Sequence, residues 1–434
     1  MFLLTKLKRK LIKVTTILGV RVSGIVDDVF ARFYNRDGHR VDLLIVDDFF
    51  PGVLSAFRIA EYNHYLTKIP NTEVHSSRGF NLFFRSRGSY QEKLHEYSRY
   101  YPELKNKVRN FNKKRIPACK LVYTVFINNA YSFIEDIDRH GIPFAFTLYP
   151  GGGFYIDEPE ADMKLRRVLS SPNFRKVFVT QKITEQYLLE KKYCAADRIE
   201  FVFGCVLPTE QLSRVPVAKS RFKVDKGTLD ICFVAAKYTE RGVDKGYDVF
   251  VEVARKLCGT YPDINFHVVG SFDLSDIDVS SIRDRITFYG LRNTDFFPGF
   301  YSRMDIVLSP NVPFVLAPGA FDGFPTASCT EAGLCGVAIF CSDPLKQNIA
   351  FRDKEEIVII SRESGEIAEI ISHYYKNPED LYRLAERGKS AFLRTYDLDA
   401  QMANRMKVLE QLLTQTEPAS GESVDCRGTE ACRC

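Results

Sequence analysis

Short, uninterrupted apolar runs alternate with helix-period stretches along most of this chain, and that alternation limits the fold more than any other feature. The first run, VDLLIVDD at 41–48, holds four consecutive apolar residues, Leu43 to Val46, and ends in two acids. A strand without polar alternation is covered on both faces, which is the signature of a parallel sheet flanked by helices. After the turn FFPG comes VLSAFRIAEYNHYL, whose apolar residues return at helical spacing. Further runs follow at 120–126 (KLVYTVF), 143–148 (PFAFTL), 176–180 (KVFVT) and 199–203 (IEFVF), with helical stretches after 126 and 180. Residues 78–118, rich in Arg, Lys and Tyr, are expected to form helices over a cleft or surface.

From 208 to 228 the chain turns polar and reads as a linker. A second series then begins with LDICFVAA (229–236), followed by a helix at about 246–258, INFHVVG (264–270), RITFYG (285–290), a helix near 295–303 and DIVLSP (305–310). VAIFCSD (337–343), EEIVIIS (355–361) and helices at 364–375, 378–395 and up to about 414 complete it. Strands alternating with helices imply right-handed crossovers and parallel sheets. The expectation is an α/β protein of two Rossmann-like domains facing a cleft. Its parts are a basic segment (1–40), a first domain (41–207), the linker (208–228), a second domain (229–395), a C-terminal helix (396–415) and a disordered tail (416–434).

Charge and cysteine usage narrow the function classes. The net charge of +5 is mild, and no interleaved basic and aromatic run suggests a nucleic-acid partner. The basic excess gathers at the front: Lys6, Lys8, Arg9, Lys10 and Lys13 fall in the first twenty residues, interleaved with Phe2, Leu3, Leu4, Leu7, Leu11 and Ile12. A solvated terminus is the plain reading. Peripheral contact of residues 1–15 with an anionic membrane surface is the functional one. No segment is long and apolar enough to span a bilayer. Among eleven cysteines, Cys232, Cys258, Cys329, Cys335 and Cys341 sit inside apolar runs, which suits reduced thiols in a cytoplasmic protein. Cys426, Cys432 and Cys434 lie in the polar tail without matching ligands upstream.

The stretch DGFPTASCTEAGLCG (322–336) carries the chemistry. Ligands of open α/β sheets gather beyond the carboxyl ends of the strands, and this stretch follows the strand DIVLSP. Gly323 and Pro325 shape a tight approach, and Thr326 to Ser328 are small enough to start a helix whose free N–H groups and dipole attract an anion. Glu331, one turn in, is placed to accept hydrogen bonds from vicinal hydroxyls. The plain alternative makes Asp322 a turn cap and Glu331 a solvated helix residue. FVAAKYTERGVDKGYDVFVEVARKL (233–257) adds Lys237 at a strand end and Lys245 before a helix, two cations at the rim of the same sheet. In the first half, TLYPGGGFYID (147–157) brings Gly151, Gly152 and Gly153 to a strand end, and Pro51 and Gly52 shape the first turn. Asp276-Ile277-Asp278 spells a metal-binding pair but reads as a polar surface loop, and Walker loops, zinc motifs and nucleophile elbows are absent from the sequence.

Taken together, FVAAKYTERGVDKG, INFHVVG, ITFYGL, YSRMDIVLSP, DGFPTASCTEAGLCGVAIFCSD and PEDLYRLAERGKSAF resemble, in order and spacing, the donor-binding half of the family 4 retaining glycosyltransferases of the GT-B fold. The resemblance covers about 229–395 and is looser over 41–205. It implies transfer of a sugar from a nucleotide-diphosphate donor to an acceptor hydroxyl, with retention and without an obligatory metal or other cofactor. It implies that Glu331 holds the nucleotide ribose, that Asp322 faces the donor sugar as the catalytic acid, and that Lys237 and Lys245 hold the diphosphate. Backbone donors would come from Gly323, Phe324, Pro325, Thr326 and Ala327. Pro51, Gly52 and Gly151 to Gly153 would line the acceptor side of the cleft. The family usually has two glutamates eight apart, whereas here the first is Asp322 and the spacing is nine. Its basic pair usually has a shorter loop, so Arg241-Gly242 competes with Lys245-Gly246. The expected acceptor is a glycan or lipid-linked hydroxyl in cell-surface polysaccharide synthesis, met in the cytoplasm or at the inner membrane face. The alternatives are a nucleotide-sugar epimerase of the same fold and a non-catalytic sugar-nucleotide-binding protein.

Overall fold

The computed structural model describes residues 40–77, 89–111, 116–213 and 218–415. The basic segment over 1–39 and the tail over 416–434, with the membrane-contact and tail-cysteine readings placed on them, lie outside the described residues.

The first half folds around a seven-stranded sheet ordered β3-β2-β1-β4-β5-β6-β7. The strands are β1 (Val41–Asp47), β2 (Glu73–Ser76), β3 (Val108–Asn110), β4 (Cys119–Val125), β5 (Phe144–Leu148), β6 (Phe174–Val179) and β7 (Ile199–Phe201), every neighbouring pair parallel. Crossovers run through α1 (Ala56–Lys68), α2 (Tyr90–Tyr100), α3 (Ile127–His140), α4 (Pro159–Leu169) and α5 (Lys182–Glu190). The stretch expected to be helical over 78–118 holds α2 but also the edge strand β3, so the sheet extends further than the apolar runs indicated. Both unanticipated strands are short, and β2 reads Glu-Val-His-Ser. Its residues are buried because Glu73 binds His75 at 3.0 Å and satisfies the charge within the strand.

The second half is a six-stranded parallel sheet ordered β10-β9-β8-β11-β12-β13. After α6 (Thr209–Ser213) come β8 (Leu229–Val234), α7 (Tyr247–Cys258), β9 (Ile264–Val269), β10 (Ile286–Gly290), α8 (Phe297–Tyr301) and β11 (Ile306–Ser309). Then follow α9 (Ala327–Leu334), β12 (Ala338–Cys341), β13 (Val358–Ile359), α10 (Ser364–Lys376), α11 (Pro378–Tyr396) and α12 (Leu398–Gln415). In both sheets the strand order reverses beside the first strand, at β1/β4 and β8/β11, which opens a crevice at the carboxyl ends.

The polar stretch expected as a linker does more than connect. Phe222 is fully buried with Leu229 and Ile231, and its backbone N–H meets the Tyr382 hydroxyl. Lys219 donates to the carbonyls of Tyr301 (2.8 Å) and Met304, and burial pushes its ammonium down to about 8. From 218 onward this segment is therefore packed into the second domain.

The two domains touch through the loop ahead of α9. Phe321 leaves the second domain and buries itself among first-domain residues, edge-on to Phe154 at 5.8 Å. The amide of Gln181, nearly fully buried, donates to the Phe324 carbonyl at 3.2 Å and accepts its N–H at 3.1 Å. The Ile156 N–H binds the Gly319 carbonyl at 2.9 Å. Gly319 has φ +74, and a Cβ there would lie 2.0 Å from the Ile156 carbonyl oxygen, so only glycine lets the two loops approach.

The chain ends by crossing back. Met402, Val408, Leu409 and Leu412 of α12 join the core formed by Leu43, Ile45, Tyr65 and Tyr123. On the same helix Arg405 is fully buried, with one guanidinium nitrogen on the Gln401 carbonyl at 2.9 Å. Glu61, also fully buried, accepts the phenols of Tyr65 (3.3 Å), Tyr149 (3.0 Å) and Tyr123. Burial works against the Arg405 charge, and the field of Tyr149 and Glu61 sustains it. Replacing Leu409 by Ala is expected to cost about 2–5 kcal/mol through the cavity it leaves. Chemical denaturation followed by tyrosine signals would show it as a lowered midpoint, with loss of the first-domain transition as the sensitive readout.

Candidate functional site

A cavity of about 380 Å³ lies between the two carboxyl-end crevices, lined by both domains. On the second-domain side the β8–α7 connection passes through a 3-10 turn (Glu240–Lys245) to Gly246, whose φ is +77 and which caps the start of α7. That turn buries Lys245 and aims its ammonium at Asp322, 2.6 Å from each carboxylate oxygen. Asn311 donates to the same carboxylate at 2.7 Å. Burial opposes the charge on Lys245, but the neighbouring Asp322 carboxylate raises its affinity for the proton above the ordinary value. The ammonium also sits over the Tyr238 ring at 5.1 Å.

At the start of α9 the Thr326 hydroxyl accepts the Cys329 N–H at 3.4 Å and so caps the helix. Of the backbone donors expected over 323–327, Phe324 is committed to Gln181 and Pro325, following a cis bond, has no N–H. Among the described residues no backbone carbonyl accepts from Gly323, Thr326 or Ala327, and of the three Ala327 lines the cavity. Glu331 lies one turn in, 8% exposed and lining the cavity. No described residue donates a hydrogen bond to its carboxyl, and burial alone pushes it from 4.5 up to about 8.

Lys237 departs from expectation. Its ammonium binds Asp276 at 2.6 Å and it does not line the cavity, so of the two lysines Lys245 is the one that meets the site. The same pair occupies Asp276 of the Asp-Ile-Asp spelling, and among the described residues no group of three His, Cys, Asp or Glu is arranged to hold a metal. Arg241, the competing candidate, is exposed with φ +59.

On the first-domain side Gly151 and Gly152 line the cavity. A Cβ on Gly152 would collide with Phe126 at 2.2 Å, so glycine keeps the loop against that ring. Gly153 turns away and packs on Asn128. Pro51 and Gly52 are buried behind the turn and present Phe49 and Leu54 to the cavity without lining it. The turn is fastened by Asp47, which accepts the N–H groups of Phe49 (2.7 Å) and Phe50 (2.6 Å), Arg58 (2.9 Å) and the Tyr62 hydroxyl (2.8 Å). The sequence reading passed over Asp48, Arg58, Asn129, Tyr155, Arg292 and Phe297, all of which line the site. The acids ending VDLLIVDD were a local signal for one of them, Asp48.

Comparison with known proteins follows this geometry. Residues 248–407 match a family model described as glycosyl transferase-like. Among solved structures, HepE from Anabaena in complex with UDP superposes with a TM-score of 0.62 at 12% identity, over 86% of this chain and 100% of that one. Sucrose-phosphate synthase from Thermosynechococcus elongatus gives 0.58 at 13% over 86% and 100%. A glycosyltransferase from Rickettsia africae gives 0.60 at 14% over 86% and 99%. These likenesses establish the GT-B fold. No curated protein matches the sequence.

The Glu331 carboxyl gives a pH prediction. Its folded-state value stands above the unfolded 4.5, so folding holds an extra proton between 4.5 and about 8. Its contribution is complete below 4.5 and is lost as pH rises toward 8, with a slope of about 1.4 kcal/mol per pH unit for one proton. Glu331→Gln is expected to flatten this part of the stability profile of the unliganded protein. Melting curves between pH 5 and 9 would test it.

Proposed function

We propose that this chain is a glycosyltransferase that moves a sugar from a nucleotide-diphosphate donor to an acceptor hydroxyl. The observation that carries the reading is Glu331: a buried carboxyl without a protein partner, facing a cavity at a helix start beside a buried lysine. A buried carboxylate left unsatisfied costs free energy, and the two hydroxyls of a ribose supply what it lacks. The match over 248–407 and the GT-B architecture support the same reaction class. The UDP bound by HepE from Anabaena makes a uridine diphosphate sugar the first donor to try.

Breaking the bond between the sugar and the diphosphate leaves negative charge on the departing phosphate and positive charge at the anomeric carbon. Lys245 and the free amides of Thr326 and Ala327 are placed to meet the first, and Asp322, fixed by Lys245 and Asn311, to face the second. In this reading the protein's own cation serves the diphosphate and no metal is called upon. Retention of configuration is proposed on the resemblance of the 322–331 motif. A cytoplasmic setting is proposed on the cysteines placed inside apolar runs, and glycan or polysaccharide assembly and membrane contact through residues 1–15 on the basic apolar start of the sequence. Among the described residues no helix is long and apolar enough to cross a membrane.

Removing one charge-assisted hydrogen bond costs about 1.5–3 kcal/mol. Glu331→Ala is thus expected to weaken UDP binding roughly tenfold to a hundredfold. Calorimetry that finds the affinity unchanged would remove the ribose role. Because the ribose binds the ionised carboxyl best, wild-type affinity is expected to rise with pH and level off above about 8. That rise is expected to vanish in Glu331→Gln. Lys245→Ala is expected to weaken UDP more than uridine, since only the diphosphate meets the ammonium, and titration with both ligands separates the two.

A further inference from the structure

The first-domain wall of the cavity has a chemistry of its own. Asp48 directly follows β1 at the switch point and is fixed through one oxygen only: Oδ1 accepts Arg58 at 3.1 Å and Asn129 at 3.0 Å. Oδ2 has no hydrogen-bond partner on another described residue, and the side chain is 40% exposed toward the cavity. Around it stand Phe49, Leu54, Phe57, Phe126 and Tyr155. Arg58 is the cation on this wall, and it is already spent. It binds Asp47 at 2.9 Å and Asp48 at 3.1 Å, is buried, and lies among the rings of Phe49, Phe57 and Phe126 at 4.9–5.3 Å. The other lining cations, Lys245 and Arg292, belong to the second domain. Glu331, more than nine-tenths buried and unpartnered, opens into the same cavity and marks it as a ligand site.

We propose that this wall is an acceptor subsite for a neutral sugar carrying an apolar face or aglycone, with Asp48 Oδ2 receiving a hydrogen bond from the attacking hydroxyl. A carboxylate with a free oxygen accepts from a hydroxyl but repels a phosphate or a uronate. Aromatic and aliphatic neighbours cover the apolar side of a pyranose or of its aglycone. In the transfer, the hydroxyl oxygen bonds to the anomeric carbon as the bond from that carbon to the diphosphate breaks. The electron pair leaves with the nucleoside diphosphate, whose phosphate oxygen takes the hydroxyl proton. Asp48 orients the hydroxyl and takes no proton in the step. This inference rests on the transferase reading and narrows its substrate.

The test uses the full chain with a mixture of UDP-glucose, UDP-galactose and UDP-N-acetylglucosamine. Candidate acceptors are p-nitrophenyl and octyl glucosides, with glucose 6-phosphate and glucuronate as anionic counterparts. Transfer to the neutral glucosides is expected, with the anionic sugars at least tenfold poorer. Asp48→Asn, which preserves the contact to Asn129, is expected to raise KM for the glucosides tenfold or more while the calorimetric Kd for UDP stays within twofold. Asp48→Ala is expected to do the same, which separates loss of the free oxygen from loss of the Arg58 contact. Preference for an anionic sugar, or an unchanged KM in both variants, overturns the subsite. So does a wild-type protein that binds UDP but leaves the neutral glucosides untouched, and that result leaves the nucleotide reading standing. Absence of UDP binding removes both together.

Discussion

Lys245 and Asp322 make one ion pair, and the cavity is organised around it. An ammonium so buried stays charged only beside a carboxylate, so Lys245 depends on the loop that carries Asp322. That loop does not hold itself. Phe321 is buried in the first domain and Gln181, also of the first domain, grips both backbone groups of Phe324. The segment that pairs with Lys245 in one domain is therefore also held by contacts made with the other.

The architecture was legible because buried parallel strands write themselves as uninterrupted apolar runs. VDLLIVDD, LDICFVAA and DIVLSP each became a strand beside a switch point. β2 and β3 escaped notice for the opposite reason: they are short, and β2 buries Glu73, His75 and Ser76 beside its one apolar residue, Val74. The segment after 208 looked like a linker because polar residues dominate it, yet a buried Phe222 and a half-buried Lys219 tie it to the second domain.

The site shows the same division. Lys245 was preferred to Arg241 because a helical pattern began directly after it, and the structure turns Lys245 alone of the two toward Asp322. Lys237 misled because a cation at a strand end says nothing of the acid, Asp276, waiting thirty-nine positions on. Amides over 323–327 looked interchangeable in sequence, but Gln181, from the other domain, claims one of them. Asp48 and Arg58 were invisible as a pair, since an acid ending a strand and an arginine in the next helix meet only once the turn between them is folded. Contacts across long sequence separations are what the linear pattern lacks.

The return of α12 to the first domain has a consequence for how the molecule is made. Synthesis delivers the seven strands of the first sheet well before residues 398–415. Until then the patch of core that Met402 and Leu409 fill is open to water, and the buried surroundings of Glu61 lack the positive field of Arg405. A domain that would ordinarily finish folding as it leaves the ribosome must here stay unsealed while the entire second domain is translated. The last helix thus acts as a completion check: a chain cut short anywhere in its second half leaves an exposed apolar seam in its first.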